Sequence, residues 1–199
     1  MKAEGFERYL TAEEQKRLLA AARRVKCPYA ERDEAWMRLM LNTGIRVGAM
    51  SRLTVGDARV AIAERRLILR AEIQKGGRGH AVPLNRKAEQ ALRDLLANRK
   101  HRGLHNEDLE APLVAGQRGG MSVRTLQARF KLWAQEAGLP KGASPHWLRH
   151  TVAKRVMATS TAENPLGVVQ RVLGHRSIAS TGVYTAPDKE TIRQSMEGL

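Results

Sequence analysis

A chain of 199 residues, 42% of them hydrophobic, is long enough for one domain with a sizeable core. Its 35 lysines and arginines outnumber 20 acidic residues, and the resulting net charge of +15 with a pI near 10.8 calls for a polyanionic partner, nucleic acid before an anionic membrane. The single cysteine, Cys27, excludes an internal disulfide and a cysteine-based metal site, no apolar run reaches membrane-spanning length, and nothing near Met1 resembles a secretory signal, so a cytoplasmic address is expected.

In chain order, Thr11-Ala12-Glu13-Glu14 is a capping box that predicts a helix to about Arg24. Trp36, Leu39 and Met40 form the apolar stripe of a second helix ending at Gly44. Within Thr43-Gly44-Ile45-Arg46-Val47-Gly48, the first glycine breaks that helix and Arg46 is aimed from the start of a short third one, with Leu53 as a core anchor. Arg59-Val60-Ala61-Ile62, the run from Leu67 to Ile73 and His80-Ala81-Val82-Pro83-Leu84 have strand-like composition, so a small three-stranded antiparallel sheet is expected over residues 59–84. Gln74-Lys75-Gly76-Gly77-Arg78-Gly79 is its glycine-rich turn. A lysine at such a tip can be carried over bound DNA; the alternative is a solvated turn lysine or a plain phosphate contact.

A helix from about Arg86 to Lys100 should turn Ala91, Leu92, Leu95 and Leu96 inward. Residues 101–121 form the longest irregular stretch, read as a mobile connector, since its Gly116-Gln117-Arg118-Gly119-Gly120 matches no nucleotide signature. Ser122 caps a helix to about Gly138 with Leu126, Phe130 and Trp133 as its core stripe, leaving Arg124, Arg129 and Lys131 for nucleic-acid backbone contact. Pro145 opens a helix carrying His146 and Arg149, three apart and therefore on one face. Val168, Val169, Val172 and Leu173 pack the helix before His175. The pair His146 and His150 could begin a zinc site, but no third ligand lies nearby, and none is expected.

The last quarter carries the chemistry. Ser144-Pro145-His146-Trp147-Leu148-Arg149-His150-Thr151 is followed by Leu173-Gly174-His175 and, nine residues beyond that histidine, by Tyr184. A phenol with a pKa of about 10 needs local positive charge and a proton acceptor to act as a nucleophile. Forked guanidinium donors suit the non-bridging oxygens of a phosphodiester, where charge builds in the transition state. Each residue also has a plain reading: a solvated Arg, a helix C-terminus at Gly174, a packing tyrosine.

Taken together, the chain resembles the catalytic domain of the tyrosine recombinases, the phage integrase family. The resemblance runs from Arg8-Tyr9-Leu10-Thr11-Ala12-Glu13-Glu14 to Tyr184 and its tail, through Thr-Gly-x-Arg at Arg46, Lys-Gly before Val-Pro-Leu at Lys75, His-x-Leu-Arg-His at His146 and Arg149, and Leu-Gly-His at His175. It implies a mainly helical α+β catalytic domain over residues 1–199, without the helical core-binding domain that normally precedes it. It also implies site-specific cutting and rejoining of double-stranded DNA through a 3′-phosphotyrosine on Tyr184. Arg46, Arg149 and His175 would then hold the phosphate oxygens, Lys75 would protonate the departing 5′-oxygen, and His146 would accept from or orient Tyr184. No cofactor or metal is implied. The tail, where Ile192 and Met196 share a face, would mediate self-association on DNA.

One position departs from the family pattern. An acidic residue usually stands three after the first arginine, and here that residue is Ala49. Two other readings therefore stand beside the recombinase: a type IB topoisomerase, which would relax plasmids lacking any special site, and a non-catalytic DNA-binding module, which would form no covalent adduct.

Overall fold

Thr11 opens the first helix with a reciprocal capping box: its hydroxyl accepts from the Glu14 amide, whose carboxylate accepts from the Thr11 amide. This helix, α1, spans Ala12–Arg24 in the computed structural model, which describes residues 9–74, 77–174 and Glu197. α2 (Pro28–Thr43) begins with Pro28 in its first turn and stops at Gly44, whose φ of 67° is the left-handed conformation that ends a helix at low cost only for glycine. α3 (Val47–Met50) follows at once, with Arg46 as its N-cap.

α4 (Val55–Glu64) replaces the first expected strand. Residues 59–62 are β-favouring in composition, but a second capping box, Thr54 with Asp57, nucleates a helix there, and Ala58 and Ala61, three apart, bury their methyl groups in the core. The sheet among the described residues therefore has two strands and not three. β1 (Arg66–Leu69) pairs antiparallel with β2 (His80–Pro83), Leu67 opposite Val82 and Leu69 opposite His80. The end of the second expected strand is instead a 3-10 turn, Ala71–Ile73.

α5 (Arg86–His101), α6 (Val123–Glu136), α7 (Pro145–Thr159) and α8 (Pro165–Leu173) complete the described elements. The irregular stretch between α5 and α6 is tied down by arginines: Arg99 donates to the Pro112 and His105 carbonyls, Arg102 to those of Ala115 and Gly116, and Arg32 to Ala115 as well. Its backbone polar groups are thus held by long side chains in place of a ladder.

α2 is the central element, packed on α1, α5 and α7, with Trp36, Met37, Leu39 and Met40 essentially inaccessible. One core cluster joins it to both strands and to α6 through Leu126, Phe130 and Trp133. A separate small cluster of Val152, Ala153, Val169 and Leu173 fastens α8 to α7.

Asp33 lies inside the main core with no exposed surface. One of its oxygens accepts from Arg32 at 2.7 and 3.0 Å and from the Trp36 indole at 3.2 Å; the other accepts from Arg129 at 2.5 Å and the Trp133 indole at 2.9 Å. This network locks α2 to α6, and it commits Arg129, assigned above to nucleic-acid contact, to an internal carboxylate. Removing the carboxylate strands two cations, one of them buried. Asp33→Ala is therefore expected to lower unfolding free energy by about 3–5 kcal/mol, measurable by urea denaturation; a loss below about 1 kcal/mol, typical of an exposed ion pair, would contradict the role assigned to the network.

Candidate functional site

The site is assembled where the C-terminal ends of α2 and α8 meet α7 and β2. Arg149, on the second turn of α7, is only 2% exposed. Its guanidinium donates to the Gly44 carbonyl at 2.6 Å, on the glycine that terminates α2, and to the Leu173 carbonyl at 2.8 Å, the last of α8. Both acceptors sit at the negative ends of helix dipoles, where a buried cation is most easily accommodated. Arg155, six residues on along α7, donates in the same way to Leu41 at 2.7 Å. The two helix ends approach so closely that a Cβ on Gly44 would come within 2.6 Å of the Leu173 side chain. Glycine at 44 is required there both by its φ and by this contact.

Arg46 is half-buried at the start of α3, presented by the turn that ends α2. Its Nη1 donates to the side-chain oxygen of Gln74, 3.4 Å away, just beyond the 3-10 turn. His146, on the first turn of α7, packs its ring edge to face on His150 with centres 4.4 Å apart. Loss of solvation, then the positive charges of Arg149 and Arg46, hold its pKa below the ordinary imidazole value. The structure thus brings together three of the sequence-predicted residues, Arg46, His146 and Arg149. Lys75, His175 and Tyr184 lie outside the described residues, as does the predicted tail helix.

His80 joins the cluster without having been singled out in the sequence. It begins β2, and a Cβ on Gly174, next to His175 in the chain, would lie 2.6 Å from its ring. Its pKa is lowered by burial, then by Arg149 and Arg46, against the Val172 carbonyl, which favours the protonated ring. The available signal was its place immediately after the glycine turn that carries Lys75. An open groove of about 680 Å³ runs between His80 and α8, lined also by Asn164, Gln170 and Arg171. Among the described residues no group of three or more His, Cys, Asp or Glu side chains converges as a metal site requires. No described helix is long and apolar enough to cross a membrane.

A constellation of two arginines, one buried and one half-buried, beside two neutral histidines on which both arginine charges act is suited to receive an anion. Residues 8–191 match the phage integrase family. The chain belongs to that family. It is similar to the tyrosine recombinase XerC of Proteus mirabilis, 32% identical over 165 residues that cover 82% of this chain and 50% of that protein. Similarity to XerC of Caldanaerobacter subterraneus subsp. tengcongensis is 31% over 189 residues, 94% of this chain and 50% of that one. The chain spans about half the length of these curated relatives. In fold it is similar to XerA recombinase, with a TM-score of 0.75 at 24% identity over 100% of this chain and 66% of that one. It is likewise similar to XerH site-specific recombinase bound to difH substrate, with a TM-score of 0.71 at 21% identity over 98% and 55%. The mainly helical architecture with a small antiparallel sheet is therefore the tyrosine recombinase fold.

With both histidine pKa values lowered, the rings are neutral near pH 7. The unfolded chain takes up these protons first, so stability falls as pH drops below about 6.5 and levels off once the folded rings protonate. A phosphate placed between Arg46 and Arg149 opposes those positive charges and raises both pKa values. Calorimetric titration of a short duplex at about pH 6, the window between lowered and ordinary imidazole values, in buffers of different ionisation enthalpy should therefore reveal net proton uptake, diminished in His146→Ala and in His80→Ala. Binding heats independent of the buffer would contradict the electrostatic coupling.

Proposed function

We propose that this chain is the catalytic part of a site-specific DNA recombinase or integrase that acts in the cytoplasm on double-stranded DNA. The observation that carries the reading is the convergence of Arg46, at the start of α3, with His146 and Arg149, on α7, two segments far apart in a chain whose family match extends to residue 191. The phenolic oxygen of Tyr184 attacks the scissile phosphorus, passing its proton to His146. The bond from phosphorus to the 5′-oxygen breaks, and Lys75 protonates the leaving 5′-hydroxyl. The protein is left on the 3′-phosphate. Arg46 and Arg149 hold the non-bridging oxygens and His175 donates to them as charge develops. Attack of a 5′-hydroxyl on the phosphotyrosine reverses every step, so bond energy is conserved without a nucleotide. Neighbouring copies on DNA associate through the tail that includes Ile192 and Met196.

On a nicked suicide substrate, the parent chain should form a covalent protein–DNA adduct on a denaturing gel and Tyr184→Phe should form none. An adduct that persists in this variant, or maps to Tyr9 or Tyr29, would remove Tyr184 from the role; no adduct from the parent would favour a binding module.

The assignment of Lys75 has its own test. Lys75→Ala should be slowed on the ordinary substrate, by about 10²–10⁴-fold for a general acid, and restored towards the parental rate by a 5′-bridging sulfur, a leaving group that needs no proton. Equal defects on oxygen and sulfur substrates would make Lys75 a phosphate contact.

A further inference from the structure

Three positions after Arg46 the chain has Ala49, buried in the core at 1% exposure, so the carboxylate the family pattern places there is missing. An acceptor nonetheless faces Arg46: the side-chain oxygen of Gln74, 28 residues away in sequence. The amide can serve in only one sense, since turning it over would aim an NH₂ group at the guanidinium. With the oxygen so placed, the other end of the amide is fixed as well. Gln74 is 8% exposed, and its Nε2 is buried with no hydrogen-bond partner among the described residues. A buried donor without an acceptor is an uncompensated desolvation in the free protein, and such groups cluster where a ligand completes them.

The backbone beneath this amide is a built platform. Arg52 donates to the Gly48 carbonyl at 3.1 Å, the Glu72 carbonyl at 3.0 Å and the Ile73 carbonyl at 2.9 Å, joining α3 to the 3-10 turn just before Gln74. The Gln74 backbone N–H donates in turn to the Ala71 carbonyl at 3.1 Å. The orphaned Nε2 is therefore held beside Arg46, and Gln74 is the immediate neighbour of Lys75 in the chain. What these groups have in common is an affinity for phosphate oxygen.

We propose that Gln74 is a further catalytic residue: its Oε1 orients Arg46 in place of the absent carboxylate, and its Nε2 donates to a non-bridging oxygen of the scissile phosphate. The inference rests on the phosphotyrosine reading above. A carboxylate at position 49 would orient Arg46 but cancel one positive charge beside the phosphate. The amide orients without cancelling and adds a donor that strengthens as the oxygens gain charge.

The test is single-turnover cleavage of a nicked suicide substrate by the 199-residue chain. Gln74→Met keeps the side chain's length and removes both polar atoms; Gln74→Glu keeps the acceptor and removes the donor. Both should cleave about 10²-fold more slowly, as expected for loss of one oxyanion donor, with affinity for the intact duplex within about twofold of the parent, less than a tenfold-per-1.4 kcal/mol binding contact would give. Substrates carrying a methylphosphonate of either configuration at the scissile position supply the internal control. With the isomer that lacks the contacted oxygen, the defect of Gln74→Met should shrink to what loss of the Arg46 acceptor alone causes; with the other isomer the full difference should persist. Because this comparison is made within each protein, a general loss of fold cannot imitate it. Parental rates in Gln74→Met, restoration by Gln74→Glu, or the same defect on both isomers would overturn the proposal and leave the phosphotyrosine reading intact. A parent chain that forms no adduct overturns both.

Discussion

The site depends on one buried guanidinium that faces two ways. Arg149 fastens the carbonyl of Gly44, where α2 terminates, to the last carbonyl of α8, and by doing so determines where those helices end relative to each other. The two helices stop in the same manner, at glycines with φ of 67° and 63°, which exposes the carbonyls at their ends to a donor. A cation at this junction offsets two helix dipoles at once, which is how so large a charged side chain tolerates near-complete burial. The residue proposed to hold phosphate is thereby placed by the fold's own architecture, with none of the rotamer freedom of a surface arginine.

Charge is segregated around that junction. Asp33 is enclosed by Arg32 and Arg129, Asp57 is paired with Arg70, and Glu34 and Asp94 both engage Arg38. Burial, and after it the charges of arginines, lowers the pKa of His80 and His146, so that both rings are neutral near pH 7. A neutral imidazole can accept a proton; a charged one cannot. Burial, together with the arginines of the proposed anion site, thus keeps His146 in the form the proposed chemistry uses.

Much of this was legible from local pattern. Capping at Thr11, the stop at Gly44, the helix opened by Pro145 and the left-handed Gly174 are written in short stretches, and the structure follows each of them. Arg46, His146 and Arg149 stood in recognisable motifs and meet in space. The third strand failed for a physical reason: residues 59–62 look like a strand by composition, while the signal that decides them, the Thr54 and Asp57 box, lies upstream and acts by nucleation. Arg129 was misjudged because its partner, Asp33, is 96 residues away. Gln74 and His80 were missed on similar grounds. Neither belongs to a motif, and each gains its meaning from groups that only the tertiary structure brings alongside.

The small cluster beneath α8 has a kinetic meaning. Val152, Ala153, Val169 and Leu173 are set apart from the main core, so α8 is expected to open locally before the main core does. Detachment breaks the bond from Arg149 to Leu173 and uncovers Gly44, which makes the helix and the buried cation partners in a single local opening equilibrium. Amide protons of residues 166–173 are accordingly expected to exchange as a cooperative unit of lower stability than those of α2, at a rate that gauges from a distance how firmly that guanidinium is held.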